Sequence, residues 1–207
     1  IALMNEYNKL LKQDTAGASI DVYKCFDQIN RPLVYKLVEM AGMPKKILEA
    51  YFKYIDNLES AYQMGRNIGI PRKDRCSIPQ GCPFSMTMVA LLFRPWVMLM
   101  QEQGVTPRVL ADDLLILTHG TGHRARTVKT VEMSIDFFDD IGAKVAENKC
   151  FTFASDTPTR IFLRETTWRH SKCKIPNKSS FRDLGSHLNF TKTKNGSTIV
   201  KRIKAAK

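Results

Sequence analysis

Long apolar runs are missing from this chain. The longest, Met86 to Met100, spans 15 residues and is interrupted by Arg94 and Pro95, whereas a bilayer-crossing helix needs about 20. The first residues, IALMNEYNKLL, offer no basic stretch, no extended apolar core and no small-residue cleavage site, so they do not read as a signal peptide. They also lack an initiator Met and begin inside a helical pattern, as expected of a fragment of a longer protein. Cysteine is sparse and odd in number, five, with no C-x-x-C. That argues against a disulfide framework or a zinc knuckle and for a reducing, intracellular setting, nucleus or cytoplasm. The four histidines are scattered. His119 and His123 have Gly120 and Gly122 between them and no third ligand in view, so they read as a polar turn. No segment repeats at a fixed period.

What the chain does have is basic charge on an otherwise ordinary composition. It has 207 residues, 43% hydrophobic and 25% charged, enough for one core of real size. The net charge is +12, and ten of those charges fall between Arg164 and Lys207, where twelve Lys and Arg face only Glu165 and Asp183. Such a block suits a polyanion, nucleic acid ahead of a membrane; the plain alternative is a solvated basic tail.

Periodicity gives the elements. Residues 1–13 read as the end of a helix, 14–17 as a turn and 18–22 as a short strand running into Asp21. Helices are expected over 31–41, closed by Gly42, and from Pro44 through Ile55. Residues 58–64 and 67–78 read as strands turning at Gly65 and Arg66, and Pro83 opens a Met-rich helix to about Phe93 that Pro95 should break or kink. Residues 106–111 and 114–118 are apolar strands joined at Asp112-Asp113, 123–141 is an amphipathic helix closed by Gly142, and 143–153 holds one or two strands. Short strands are expected at 161–163 and 181–190. Antiparallel strand pairs interleaved with helices make an α+β fold, not a doubly wound sheet.

Three carboxylates, Asp21, Asp112 and Asp113, fall where strands end, although acidic residues are poor strand formers. Two consecutive Asp at a hairpin tip repel unless a cation lies beside them. If the two strands are neighbours, Asp21 and Asp112 converge, and a hard divalent cation such as Mg²⁺ fits oxygen donors and takes phosphates as further ligands. The bland reading is that Asp-Asp is a turn dipeptide.

These carboxylates do not stand alone. In order, the chain contains IDVYKCFDQIN (20–30), IPQGCPFS (78–85), LADDLLIL (110–117), SIDFFDDIGAKVAENKC (134–150) and DLGSHLN (183–189). In this order and spacing they resemble motifs A to E of the reverse transcriptase palm, closest in flavour to non-LTR retrotransposons and group II intron proteins. The resemblance covers about residues 19–189. It implies a polymerase palm, an antiparallel sheet packed on helices as in RNA-recognition folds, with part of the fingers and the thumb largely absent. Residues 1–190 would be the palm with a fingers insertion at about 31–78, and 191–207 a basic tail or the start of the thumb.

The same resemblance implies an RNA-directed DNA polymerase acting on an RNA template, a DNA primer and dNTP, with no membrane partner and an oligomeric state left open. Asp21 and Asp112 match the main ligands of two Mg²⁺ ions, with Mn²⁺ as an alternative metal, and Asp113 matches a more peripheral one. Phe26 matches the steric gate that excludes a 2′-hydroxyl, beside the alternative of a core Phe. Gln80 and Gly81 match the turn that approaches the nascent pair, and Ser85 the serine that follows it, or else a first-turn helix residue. Lys149 matches the lysine near the leaving pyrophosphate, or else a surface lysine. Leu184, Gly185 and His187 match the primer grip. Arg66, Arg72, Lys73 and Arg75 are further cations with no assigned contact.

Two departures stand out. Leu110 occupies a position where many relatives carry an aromatic, and the basic fingers segment expected upstream of motif A is absent. Two rival readings follow: a truncated, inactive remnant that still binds nucleic acid, and an RNA-dependent RNA polymerase. Intact carboxylates speak against the first, since without metal they repel phosphate. Ala111, where the second usually has Gly, and Phe26 speak against the other.

Overall fold

The structure is a computed structural model that describes residues 2–74, 76–168, 174–183 and 186–190. In chain order its elements are α1 (Ala2–Leu10), β1 (Thr15–Asp21), α2 (Cys25–Gln28), α3 (Arg31–Met40), α4 (Lys45–Asn57), β2 (Glu59–Ser60), β3 (Gln63–Met64), β4 (Asn67–Ile68), β5 (Arg72–Lys73), α5 (Ser85–Glu102), β6 (Thr106–Leu110), β7 (Asp113–His119), α6 (His123–Asp140), β8 (Phe151–Ala154), α7 (Thr157–Glu165), β9 (Ser180–Asp183) and β10 (Ser186–Asn189). The fold is α+β, as expected.

Its centre is an antiparallel sheet in the order β6-β7-β1-β8. β7 is apolar at consecutive positions because both of its faces are covered. Leu114 and Ile116 join Ala18 and Ile20 of β1 against α3, α5 and α6, in a core with Val34, Met88, Phe93, Trp96 and Phe138. Leu115 and Leu117 point the other way, into a second cluster with Phe151, Phe153, Phe181, Leu188 and Phe190. The β9–β10 hairpin supplies part of that cover. A strand buried on both faces loses its alternation and reads as a continuous apolar run.

Several expectations are corrected. Residues 14–17 form no turn there: β1 begins at Thr15 and carries Gly17 inside the strand. Gly17 is there for space, because a Cβ would meet the Ile116 carbonyl and the Phe153 ring. Pro95 does not break α5, which runs on to Glu102. Pro95 sits on the exposed side, while Trp96 and Met100 beyond it are fully buried and hold the last turns to the core. Residues 161–163 are helical, not a strand; they lie in α7, capped by Asp156 with a proline in the first turn. Residues 143–153 give one strand, β8, plus a single bridge from Val145 to Val22. The region 58–78 gives two short ribbons, β2 with β5 and β3 with β4, turning at Gly65 with φ 61° as expected.

The α7 cap is also a charge cluster. The Asp156 carboxylate accepts from the Thr159 N–H at 2.8 Å, with Arg124 at 3.3 Å and His123 at 3.7 Å. Burial pushes its pKa up, but the Thr159 hydrogen bonds and the His123 and Arg124 charges outweigh burial and hold it low. An Asp with a depressed folded pKa adds stability that is complete above its unfolded pKa, about 4, and fades as pH falls through the folded value. Asp156→Ala is expected to cost about 1–2 kcal/mol at pH 7, measured by urea unfolding, and clearly less at pH 3. An equal cost at both pH values would contradict the assignment.

Candidate active site

Register places the acidic residues. β1 and β7 pair with Asp21 directly opposite Asp113, so these two side chains share one face of the sheet. Leu110 pairs with Asp113 across a two-residue hairpin loop, Ala111-Asp112. Ala111 takes φ 53°, a left-handed conformation that two-residue hairpin loops favour but a Cβ resists. This strained turn carries Asp112 out at the end of the strand pair. The strands are neighbours, as the convergence argument requires.

Behind the acidic residues lies a thiol that the sequence reading did not single out. Burial pushes Cys25 up to about 12, and the Asp112 and Asp21 charges add to the effect. Burial is the chief cause, and the group stays a neutral thiol. Nothing in the sequence distinguishes Cys25, four residues after Asp21, from any small core residue.

Asp21 is gripped by the segment that follows α6. Its N–H donates to Cys150 Sγ at 3.5 Å, and its carbonyl accepts from the Ala146 N–H at 2.8 Å. The next N–H but one, that of Tyr23, reaches the Lys144 carbonyl at 2.8 Å. Lys149 lies in the same loop, its N–H bonded to the Ala146 carbonyl at 2.9 Å. Its ammonium lies 3.5 Å from the Asp21 carboxylate. The side chain is largely exposed, as in the surface-lysine alternative, but it is paired.

Phe26 lies on the short helix α2, reached through Lys24 at φ 44°. The ring is half-buried against the helical core. Its carbonyl accepts from the Ile78 N–H at 3.0 Å, and Ile29 likewise from Ser77 at 3.1 Å. The loop 78–85 is thereby stitched to the segment that follows Asp21. Arg31, buried and also missed by sequence reading, braces this junction by donating to the Ser77 carbonyl at 2.8 Å and the Ile55 carbonyl at 3.3 Å. Gln80 and Gly81 are exposed. Gly81 has φ 83° with open space where a Cβ would stand. Ser85 is buried, and its hydroxyl donates to the Pro79 carbonyl at 2.6 Å. It therefore fixes the shape of the loop from inside. Tyr51 closes the same loop, its hydroxyl 3.0 Å from Cys82 Sγ.

Gly185, Leu184 and Arg75 lie outside the described residues. The backbone of His187 lies in β10, opposite Arg182. Arg72 stacks over the Tyr62 ring at 4.6 Å, on exposed ribbon far along the chain from the acidic residues. His119 and His123 are engaged by Gln13 and by the Gly120 carbonyl and Thr159.

The donor set suits a hard cation: carboxylates at the end of one strand pair, with Asp21 opposite Asp113 and Asp112 in the adjoining turn. Among the described residues no group of three or more His, Cys, Asp or Glu is gathered closely enough to hold a metal by itself. No helix among the described residues is long and apolar enough to cross a membrane.

A family model described as reverse transcriptase (RNA-dependent DNA polymerase) matches residues 2–195. Comparison with curated proteins gives no match. Among solved structures, the chain is similar to apo telomerase from Candida tropicalis truncated from its C-terminal domain, at TM-score 0.63 and 13% identity over 91% of this chain and 37% of that one. It is also similar to telomerase from Candida albicans in complex with a TWJ fragment of telomeric RNA, at TM-score 0.60 and 14% identity over 97% of this chain and 36% of that one. At such identity the likeness is one of fold. The chain spans little more than a third of those proteins.

Proposed function

The chain belongs to the reverse transcriptase (RNA-dependent DNA polymerase) family, and from that premise we propose that it extends a DNA primer on an RNA template, adding dNMP from dNTP. The observation that carries this reading is the register that sets Asp21 against Asp113 with Asp112 at the adjoining hairpin turn. Asp21 and Asp112 would hold two Mg²⁺ ions, or Mn²⁺ in their place, with Asp113 as a peripheral ligand. When bound, such ions lower the pKa of a hydroxyl and neutralise charge on transferring phosphate. The 3′-oxygen bonds to the α-phosphorus, the bond to pyrophosphate breaks, and the hydroxyl proton leaves to solvent. Lys149 supplies charge or a proton to the departing pyrophosphate.

Phe26 limits the sugar to deoxyribose. Gln80 and Gly81 form the loop that approaches the nascent pair, and the open side of Gly81 allows backbone contact. Ser85 acts on template–primer through the loop it braces, and Gly185 through the primer grip. In this reading residues 1–190 are the palm, 31–78 its fingers insertion, and 191–207 a basic tail or the start of the thumb. The C. albicans structure is of a telomerase with RNA bound, which supports RNA as the template partner. The block of basic residues from Arg164 to Lys207, which carries ten of the twelve net charges, favours one second reading: a catalytically inactive, truncated polymerase remnant that holds nucleic acid without extending primers.

The test is incorporation opposite an RNA template with dTTP or UTP. Wild type is expected to use dTTP and reject UTP, and Phe26→Val to lose about 100-fold of that discrimination. Unchanged discrimination in Phe26→Val would remove Phe26 from the sugar site. RNA binding without incorporation of either nucleotide would favour the remnant.

A further inference from the structure

Asp21 and Asp113 are like charges set directly across a strand pair, an arrangement that opposes folding unless it is compensated. Compensation is built into the chain. The loop that takes both the N–H and the carbonyl of Asp21 also carries Lys149, whose ammonium lies 3.5 Å from the Asp21 carboxylate. The ion pair is therefore anchored by backbone hydrogen bonds on both sides and is not a chance meeting of two surface side chains. A lysine is a flexible point charge on a long stem, and this one is largely exposed, with water to swing into.

From this arrangement we infer that Lys149 is an internal stand-in for the divalent cation: it holds Asp21 in the metal-free protein and is displaced when metal binds. The inference rests on the metal-site reading above and adds to it a regulation of metal affinity. Metal entry must expel a positive charge from the carboxylate it binds, so the protein holds metal weakly until a phosphate substrate supplies further negative charge. Lys149 then stands released beside the site where pyrophosphate departs. One residue thus keeps the empty site folded and tunes how readily it fills.

The test is Mn²⁺ binding, followed by the electron paramagnetic resonance of the free ion, on the full chain without nucleotide. Melting curves with and without Mg²⁺ accompany it. Lys149→Met is expected to bind Mn²⁺ about tenfold more tightly than wild type, to melt lower without metal and to gain more from Mg²⁺. Lys149→Arg, which keeps the charge, is expected to behave as wild type in both measurements. Affinity equal to or weaker than wild type in Lys149→Met, with that variant folded, would overturn the inference. Failure of the underlying reading looks different: Asp112→Asn would then bind Mn²⁺ as well as wild type. Should Lys149→Met fail to fold without metal, the same comparison is made with Lys149→Gln.

Discussion

Asp112→Asn is expected to reduce templated incorporation by at least about 10³-fold, with RNA binding and melting temperature essentially kept. The reasoning is electrostatic. Asp112 lies in the two-residue turn between β6 and β7, and the register puts that turn beside the Asp21–Asp113 pair. Asn keeps the size of the side chain and removes the charge that a hard cation requires. Stabilisation of a transferring phosphoryl group by a bound ion is worth several kcal/mol, and each 1.4 kcal/mol is tenfold in rate. Stability should not suffer, because the substitution removes one negative charge from a crowded acidic corner. It also removes a charge that helps raise the buried Cys25 thiol, which lies at about 12, so that value should fall. The measurement is single-nucleotide incorporation at saturating primer–template, beside a melting curve and an RNA-binding isotherm. Loss of less than tenfold would exclude Asp112 as a principal ligand. Loss of activity together with a collapsed melting curve would report on folding and not on chemistry.

Gly17→Ala should produce the largest loss of stability of any Gly→Ala change among the described glycines, about 3 kcal/mol or more. The new Cβ would enter space held by the Ile116 carbonyl of the neighbouring strand and by the ring of Phe153. Neither can yield cheaply. The carbonyl belongs to β7, which pairs with β1 along its whole length, and Phe153 is fully buried among Phe181 and Phe190. Overpacking of this kind typically costs about 1–3 kcal/mol, and a backbone obstacle puts it at the top of that range or beyond. The check is urea unfolding, with Gly42→Ala as a reference, since Gly42 has positive φ but open space around it. A Gly17 variant no less stable than the Gly42 variant would show that the sheet is less tightly closed than described.

The α+β class, the long helices after Pro44 and His123, and a hairpin carrying the acidic pair were legible in the sequence, although the turn falls at Ala111-Asp112, with Asp113 opening β7, and not at Asp112-Asp113. Each is written in local pattern: helical apolar spacing, glycine closures at Gly42 and Gly142, and polar residues between two apolar runs. The errors arose where tertiary packing overrides local signals. Gly17 and Pro95 are punctuation by the usual rules, yet one is a packing gap inside a strand and the other rides on the exposed side of a helix whose far end is buried. Residues 161–163 looked like a strand because three apolar residues stand together, while the Asp-Thr-Pro start of α7 was the better signal. At the candidate site, the carboxylates and the loop at 78–85 are singled out by motif order. Cys25 and Arg31 were not, because their importance lies in which groups they meet across the fold, a fact that spacing does not carry. Ser85 is singled out by the motif too, but its hydroxyl is spent on Pro79 inside the loop. That direction could not be read from the motif.

The central claim is RNA-templated DNA synthesis at Asp21, Asp112 and Asp113, and primer extension addresses it most directly. The assay uses poly(rA)–oligo(dT), dTTP and Mg²⁺, with wild type beside the Asp112→Asn/Asp113→Asn double variant. The account predicts extension by wild type that needs both template and Mg²⁺ and is lost in the double variant. Binding of RNA that fades with salt, with no extension under any metal, would contradict it and leave the chain with the fold of a polymerase and the role of a nucleic-acid-binding remnant.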